Sequence, residues 1–180
     1  NHPDLMSLSA TPIPRSLALT VYGDLDISIL DELPPGRIPI KTLWRGAQKQ
    51  NIVFEEVREE LKAGRQVYIV CPLIEESEKS DLLDAETLYK AIRNKIYPEF
   101  TSAILHGRMK TNEKDQIMQK FKEKEYQILV STTVIEVGID VLNATVMIIE
   151  HAERFGLSQL HQLRGRVGRG SAKSFCYLIG

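Results

Sequence analysis

No glycine in this 180-residue sequence is followed by lysine, so it holds no G-x-x-x-x-G-K-[ST] phosphate loop of its own. Cysteine is scarce. Cys71 and Cys176 stand far apart, each inside an apolar run, which excludes a disulfide framework and a cysteine-rich zinc site. Two buried thiols in a reducing, cytoplasmic compartment are expected instead. Neither sign of charge dominates: 23 Lys and Arg against 24 Asp and Glu give a net charge of −1. Any affinity for nucleic acid must therefore come from local clusters. No apolar run approaches the roughly 18 residues of a membrane span, so no membrane partner is expected, and no signal peptide opens the chain. Repeats and low-complexity tracts are absent. The first residue is Asn1 rather than methionine, which predicts a piece of a longer protein.

What is present is an ordinary soluble composition, 43% hydrophobic and 26% charged, in a length that suits one domain. Short apolar runs rich in β-formers occur at 66–71, 102–105, 127–131, 145–149 and 174–179. Their continuity, without strict alternation, suits strands buried on both faces of a parallel sheet. Between them, helical spacing groups Ile52, Val53, Val57 and Leu61; then Leu88, Ala91 and Ile92; then Ile117, Met118 and Phe121. Thr111 and Asn112 are candidate caps of the last helix. Strands alternating with helices predict an α/β fold with right-handed crossovers.

The first 35 residues differ. A strand over Leu5–Leu8 and a helix over Pro14–Tyr22 are expected, closed by the Pro34-Pro35-Gly36 turn signal. Asp31 and Glu32 end an apolar run as an NTPase presents its acids, but without a phosphate loop they read as a solvated strand end or linker.

The most informative stretch is Gln159 to Gly170. Gln162, Arg166 and Arg169 fall at i, i+4 and i+7, so one helix would place them on one face. Gly165 and Gly168 would each cost that helix roughly 1 kcal/mol, which points to close approach of backbone to a ligand or a facing domain. Three arginines and Lys173 without an acid suit phosphate oxygens, and an arginine from a neighbouring domain can stabilise charge on a transferring γ-phosphate. The competing reading is a solvated basic helix end.

Ser131, Thr132 and Thr133 follow the third apolar run and offer hydroxyls and backbone N–H groups at a strand's carboxyl end, where open α/β sheets place ligands. Gly138 permits a tight backbone, and Asp140 could accept a ribose hydroxyl. A helix cap in a βα loop is the plainer alternative. His106, Gly107 and Arg108 follow the second run and bring basic groups to the same edge. Glu75, Glu76 and Glu78 read as an acidic surface loop.

Together these pieces resemble superfamily 2 helicases. Ser9-Ala10-Thr11-Pro12-Ile13-Pro14-Arg15 resembles motif III, residues 67–77 motif IV, residues 128–141 motif V and residues 159–170 motif VI. The stretches Leu17–Asp26, Asp31–Arg37 and Cys71–Ser77 resemble the RecG branch in particular, with transcription-repair coupling factors as the near alternative. The resemblance implies a RecA-like parallel sheet of the P-loop NTPase type, as a second motor lobe at 36–180. Residues 1–35 would be a motif III segment and linker, displaced or poorly ordered. Arg166 and Arg169 would be arginine fingers, and Gln162 would link nucleotide state to closure. Gly138 and Asp140 would lie near the ribose. His106, Gly107, Arg108, Thr132 and Thr133 would line the DNA path, and Ser9, Ala10 and Thr11 would couple the two sites. ATP with Mg²⁺ would be held mainly by an N-terminal RecA-like lobe of the same parent. The intact helicase would remodel branched or duplex DNA at stalled forks and Holliday junctions, while this chain alone would be inactive. The rival from another class is a non-catalytic nucleic-acid-binding module.

Overall fold

The computed structural model describes residues 38–72, 78–132 and 140–180, all within Gly36–Gly180, the second of two units into which the chain divides. The expectations for Leu5–Leu8, Pro14–Tyr22, Ser9, Ala10, Thr11, Asp31 and Glu32 lie outside the described residues, as do those for Glu75, Glu76, Thr133 and Gly138.

Six strands form one parallel sheet: β1 (Lys41–Arg45), β2 (Gln66–Cys71), β3 (Ser102–Leu105), β4 (Ile128–Thr132), β5 (Ala144–Ile149) and β6 (Phe175–Ile179). Their order is β1-β6-β5-β2-β4-β3, with every neighbouring pair parallel. Five of the six match the apolar runs to within a residue at either end. β1 was not anticipated. It is an edge strand whose Lys41, Thr42 and Trp44 are exposed, so no buried run announces it.

Helices α1 (Gln50–Lys62), α2 (Glu78–Ala91), α3 (Thr111–Lys122) and α4 (Leu157–Arg164) cover the sheet. Strand alternation sends Val67, Ile69, Val130 and Ile148 toward Val53, Val57 and Leu61 of α1 and Ala85 of α2. Tyr68, Leu129, Met147 and Cys176 point the other way, toward Met118 and Phe121 of α3 and Leu163 of α4. Val67, Ile69, Val130 and Ile148 are wholly inaccessible, each worth about 1.5–3 kcal/mol of burial. Two such faces explain why the strands read as unbroken apolar runs.

Three local expectations change. Ile52 is exposed, and Phe54 takes its place in the core. The second helix begins earlier than its apolar spacing, and Ile92–Ile96 is a π-helical turn. The N-cap of α3 is Lys110, not Thr111 or Asn112: the Glu113 carboxylate accepts the Lys110 backbone N–H at 3.0 Å. A carboxylate reaching back from N3 serves the helix start without a capping hydroxyl.

Candidate functional site

Helix α4 starts after Gly156, whose N–H donates to Gln159 Oε1 at 3.0 Å. It ends at Arg164, and Gly165 closes it by donating to the His161 carbonyl at 3.0 Å. The expected single helical face of Gln162, Arg166 and Arg169 is therefore wrong. Gln162 is exposed on α4, whereas both arginines sit in the turn beyond it.

The glycines explain why the helix stops. Gly168 has φ +71°, a conformation in which side chains are strained. A Cβ there would stand 2.6 Å from Ile40 Cγ1, and one on Gly170 would stand 2.8 Å from the Leu142 carbonyl oxygen. Close packing within the lobe requires glycine at Gly168 and Gly170, whereas a Cβ on Gly165 would meet nothing nearer than 3.4 Å.

This turn brings Arg169 to Asp140. The Arg169 guanidinium forms a hydrogen-bonded ion pair with the Asp140 carboxylate, while its Nε donates to the Gly165 carbonyl at 3.0 Å. Arg166 is half-buried and has no acidic partner among the described residues. Burial pushes the Tyr68 phenol up, and the positive charges of Arg166 and Arg169 pull it partly back. The charges of both guanidinium groups are thus felt at the Tyr68 phenol, whose ring packs in the core on the α3/α4 side of the sheet. Asp140 precedes β5 by four residues and Arg169 precedes β6 by six, so the pair belongs to the amino ends of these strands. Asp140 had been expected at the carboxyl edge.

The carboxyl edge holds a second group. Leu105 of β3 registers with Ser131 of β4, which makes His106 and Thr132 neighbours one step further on. Alternation turns both toward the α1/α2 face. Thr132 is 2% exposed, and among the described residues neither its Oγ1 nor His106 Nδ1 has a hydrogen-bond partner. Desolvation holds the imidazole below its ordinary range; Glu86 and Glu113 oppose this, and Lys114 and Arg108 reinforce it. Gly107 and Arg108 are exposed beside it.

Sequence reasoning missed Glu150. It directly follows β5, is 6% exposed, and accepts from Gln50 Nε2 through both oxygens at 2.9 and 2.8 Å. Burial raises its pKa, with the Gln50 bond opposing. A single acid after an apolar run was the available signal. Nearby Cys71, like Cys176, has its thiol pushed up to about 12 by burial, so both cysteines are inert packing groups. Among the described residues no group of three or more His, Cys, Asp or Glu could hold a metal ion.

The sequence profile of the helicase conserved C-terminal domain family matches residues 48–171. The chain belongs to that family. This helicase C-terminal domain is 58% identical over 179 residues to the ATP-dependent DNA helicase RecG of Synechocystis sp., covering 99% of the chain and 22% of the relative. It is 54% identical to the RecG of Streptococcus pneumoniae, covering 99% and 27%. The chain thus spans about a quarter of the length of the curated relatives it matches. Among solved structures, RecG bound to a three-way DNA junction superposes with TM-score 0.77 at 49% identity, covering 94% of this chain and 22% of that one. Domain 2 of the DEAD-box helicase Mss116p, bound to an RNA duplex, superposes with TM-score 0.61 at 18% identity, covering 77% and 53%. That likeness is one of fold: the RecA-like α/β sheet of a helicase C-terminal domain. No helix among the described residues is long and apolar enough to cross a membrane.

Proposed function

We propose that this chain is the second motor lobe of an ATP-dependent DNA helicase of the RecG type, which remodels branched DNA in recombination and repair. Residues 36–180 form the lobe, and residues 1–35 are a motif III segment and linker in which Ser9, Ala10 and Thr11 couple nucleotide and DNA sites. The two buried thiols suit a reducing compartment such as the cytoplasm.

One observation carries the reading: Arg166 and Arg169 gather over one face of a lobe that has no phosphate loop, beside the acid Asp140. Such a lobe completes an ATP site that an N-terminal RecA-like lobe begins. The Asp140–Arg169 pair does not stand in the way. Asp140 is 55% exposed, and ion pairs at such sites are worth only about 0–1 kcal/mol. A triphosphate offers Arg169 a stronger, charge-assisted fork. Arg169 and Arg166 then stabilise charge on the γ-phosphate, while Asp140, released, accepts a ribose hydroxyl. Gly138 gives the chain room beside the ribose, and Gln162 relays closure. ATP brings Mg²⁺, held from the first lobe, and this chain supplies guanidinium groups. His106, Gly107, Arg108, Thr132 and Thr133 follow the DNA backbone without reading bases.

The purified chain is expected to show no appreciable ATPase and only weak, salt-sensitive DNA binding. Robust DNA-stimulated ATP turnover by this chain alone would overturn the reading. Strong DNA binding with no loss of activity when Arg166 and Arg169 are replaced in the intact protein would favour a non-catalytic module.

A further inference from the structure

A cleft of about 640 Å³ opens at the amino edge of the sheet, opposite His106 and Thr132. Three cations line it. Arg65 comes from the turn before β2, and Lys122 and Lys124 from the end of α3. None of the three side chains has an acidic partner among the described residues, while the acids around them are engaged. Glu123 accepts from Gln119 at 2.6 Å, Glu125 pairs with Lys120 at 3.6 Å, and Asp140, which also lines the cleft, is neutralised by Arg169. With Asp140 counted, the charge of the lining is +2, and it is +3 only while Arg169 holds Asp140. Helix-end lysines ordinarily serve the helix dipole, but Lys124 does so at a conformational cost. Its φ is +65°, where glycine is the low-energy residue.

Gly170 and Ser171 also line the cleft, and none of its lining residues carries an aromatic ring to stack a base. Asn143, the one side-chain amide in the lining, donates through Nδ2 to the Gly64 carbonyl at 2.9 Å and to Gln66 Oε1 at 3.1 Å, so its amide N–H groups are engaged within the lobe. An open, cationic, non-stacking cleft suits a phosphodiester backbone read for charge alone.

We infer that this cleft is a second DNA-backbone contact, holding a duplex arm distinct from the one at His106 and Thr132. The inference rests on the nucleic-acid reading above. The two edges are a strand length apart, roughly 17–20 Å, and face opposite ways, so one straight arm cannot serve both.

The test is a salt titration of binding by the intact protein, comparing a three-way junction with a linear duplex. In the Arg65→Gln, Lys122→Gln, Lys124→Gln variant, the slope of log affinity against log salt falls by about 2–3 on the junction, with little change on the linear duplex. Lys124→Gly alone raises Tm yet weakens junction binding, which separates contact from folding. An unchanged junction slope in the triple variant would overturn the second contact. So would an unchanged slope accompanied by lost binding of a poly-glutamate peptide, which would assign the cleft to an acidic protein segment. Failure of the unsubstituted protein to bind either DNA would instead remove the nucleic-acid reading itself.

Discussion

Asp140 and Arg169, 29 residues apart in the chain, are joined by an ion pair ahead of β5 and β6. The pair holds the candidate finger and the candidate ribose acceptor on each other. On the proposed reading, nucleotide binding is an exchange of partners, not an encounter with two free groups. Replacing Asp140 separates the two roles. In the intact protein, Asp140→Ala raises KM for ATP about tenfold, the worth of a hydrogen bond to a charged acceptor, with kcat nearly unchanged. If Asp140 only restrains Arg169, kcat rises and KM does not; steady-state kinetics with ATP tells the two apart.

Thr132 gives effects of opposite sign on stability and binding. Its Oγ1 is buried without a partner, and such a group costs about 1–3 kcal/mol. Thr132→Val is expected to stabilise the lobe by about 1 kcal/mol while weakening DNA binding. Urea denaturation and a duplex titration on the same variant check both signs. A variant that is less stable and binds DNA unchanged would place Thr132 in the core alone.

Glu150 predicts an inverted pH response. Its folded-state pKa is raised above the ordinary value of 4.5, so the folded lobe holds this proton more tightly than the unfolded chain does. The associated stability is present below pH 4.5 and is lost as pH rises through the folded pKa. His106 acts in the other direction. Its lowered pKa makes stability fall as pH drops from 6.5 through its folded value. Glu150→Gln removes the first effect and keeps the second. Its stability gain over the parent is expected to grow between pH 4.5 and pH 7, measured by Tm. A gain independent of pH would mean that folding does not raise the pKa of Glu150.

Backbone conformation sets a further pair of signs. Lys124→Gly is expected to stabilise the lobe by about 1 kcal/mol, relieving a left-handed residue that carries a Cβ. Gly168→Ala is expected to destabilise it by about 2 kcal/mol, since the added methyl meets Ile40. Equal effects of the two substitutions on unfolding free energy would contradict the account.

The sheet was legible because five strands are buried on both faces and leave unbroken apolar runs. β1 was not, since an edge strand with exposed Lys41, Thr42 and Trp44 has no such run. In the arginine stretch the residue types carried the signal and the periodicity misled. Spacing at i, i+4 and i+7 assumed a helix that Gly165 ends, and the glycines answer to Ile40 and Leu142, which sequence alone could not bring near. The separation of Asp140 from the Thr132 edge was hidden for a similar reason. Thr132 and Asp140 are close in chain order, and spacing alone does not show that they belong to opposite edges of the sheet. Glu150 went unnoticed because an isolated acid after a strand usually faces water, and only the packed fold reveals its burial.

The most direct measurement is single-turnover ATP hydrolysis by the intact protein carrying Arg169→Ala, with ATP affinity measured alongside. A finger acting on the γ-phosphate predicts a rate lower by about 10³-fold with binding largely retained. A hydrolysis rate equal to that of the unsubstituted protein would leave Arg169 with no role beyond its bond to Asp140, and the motor assignment of this face would fail.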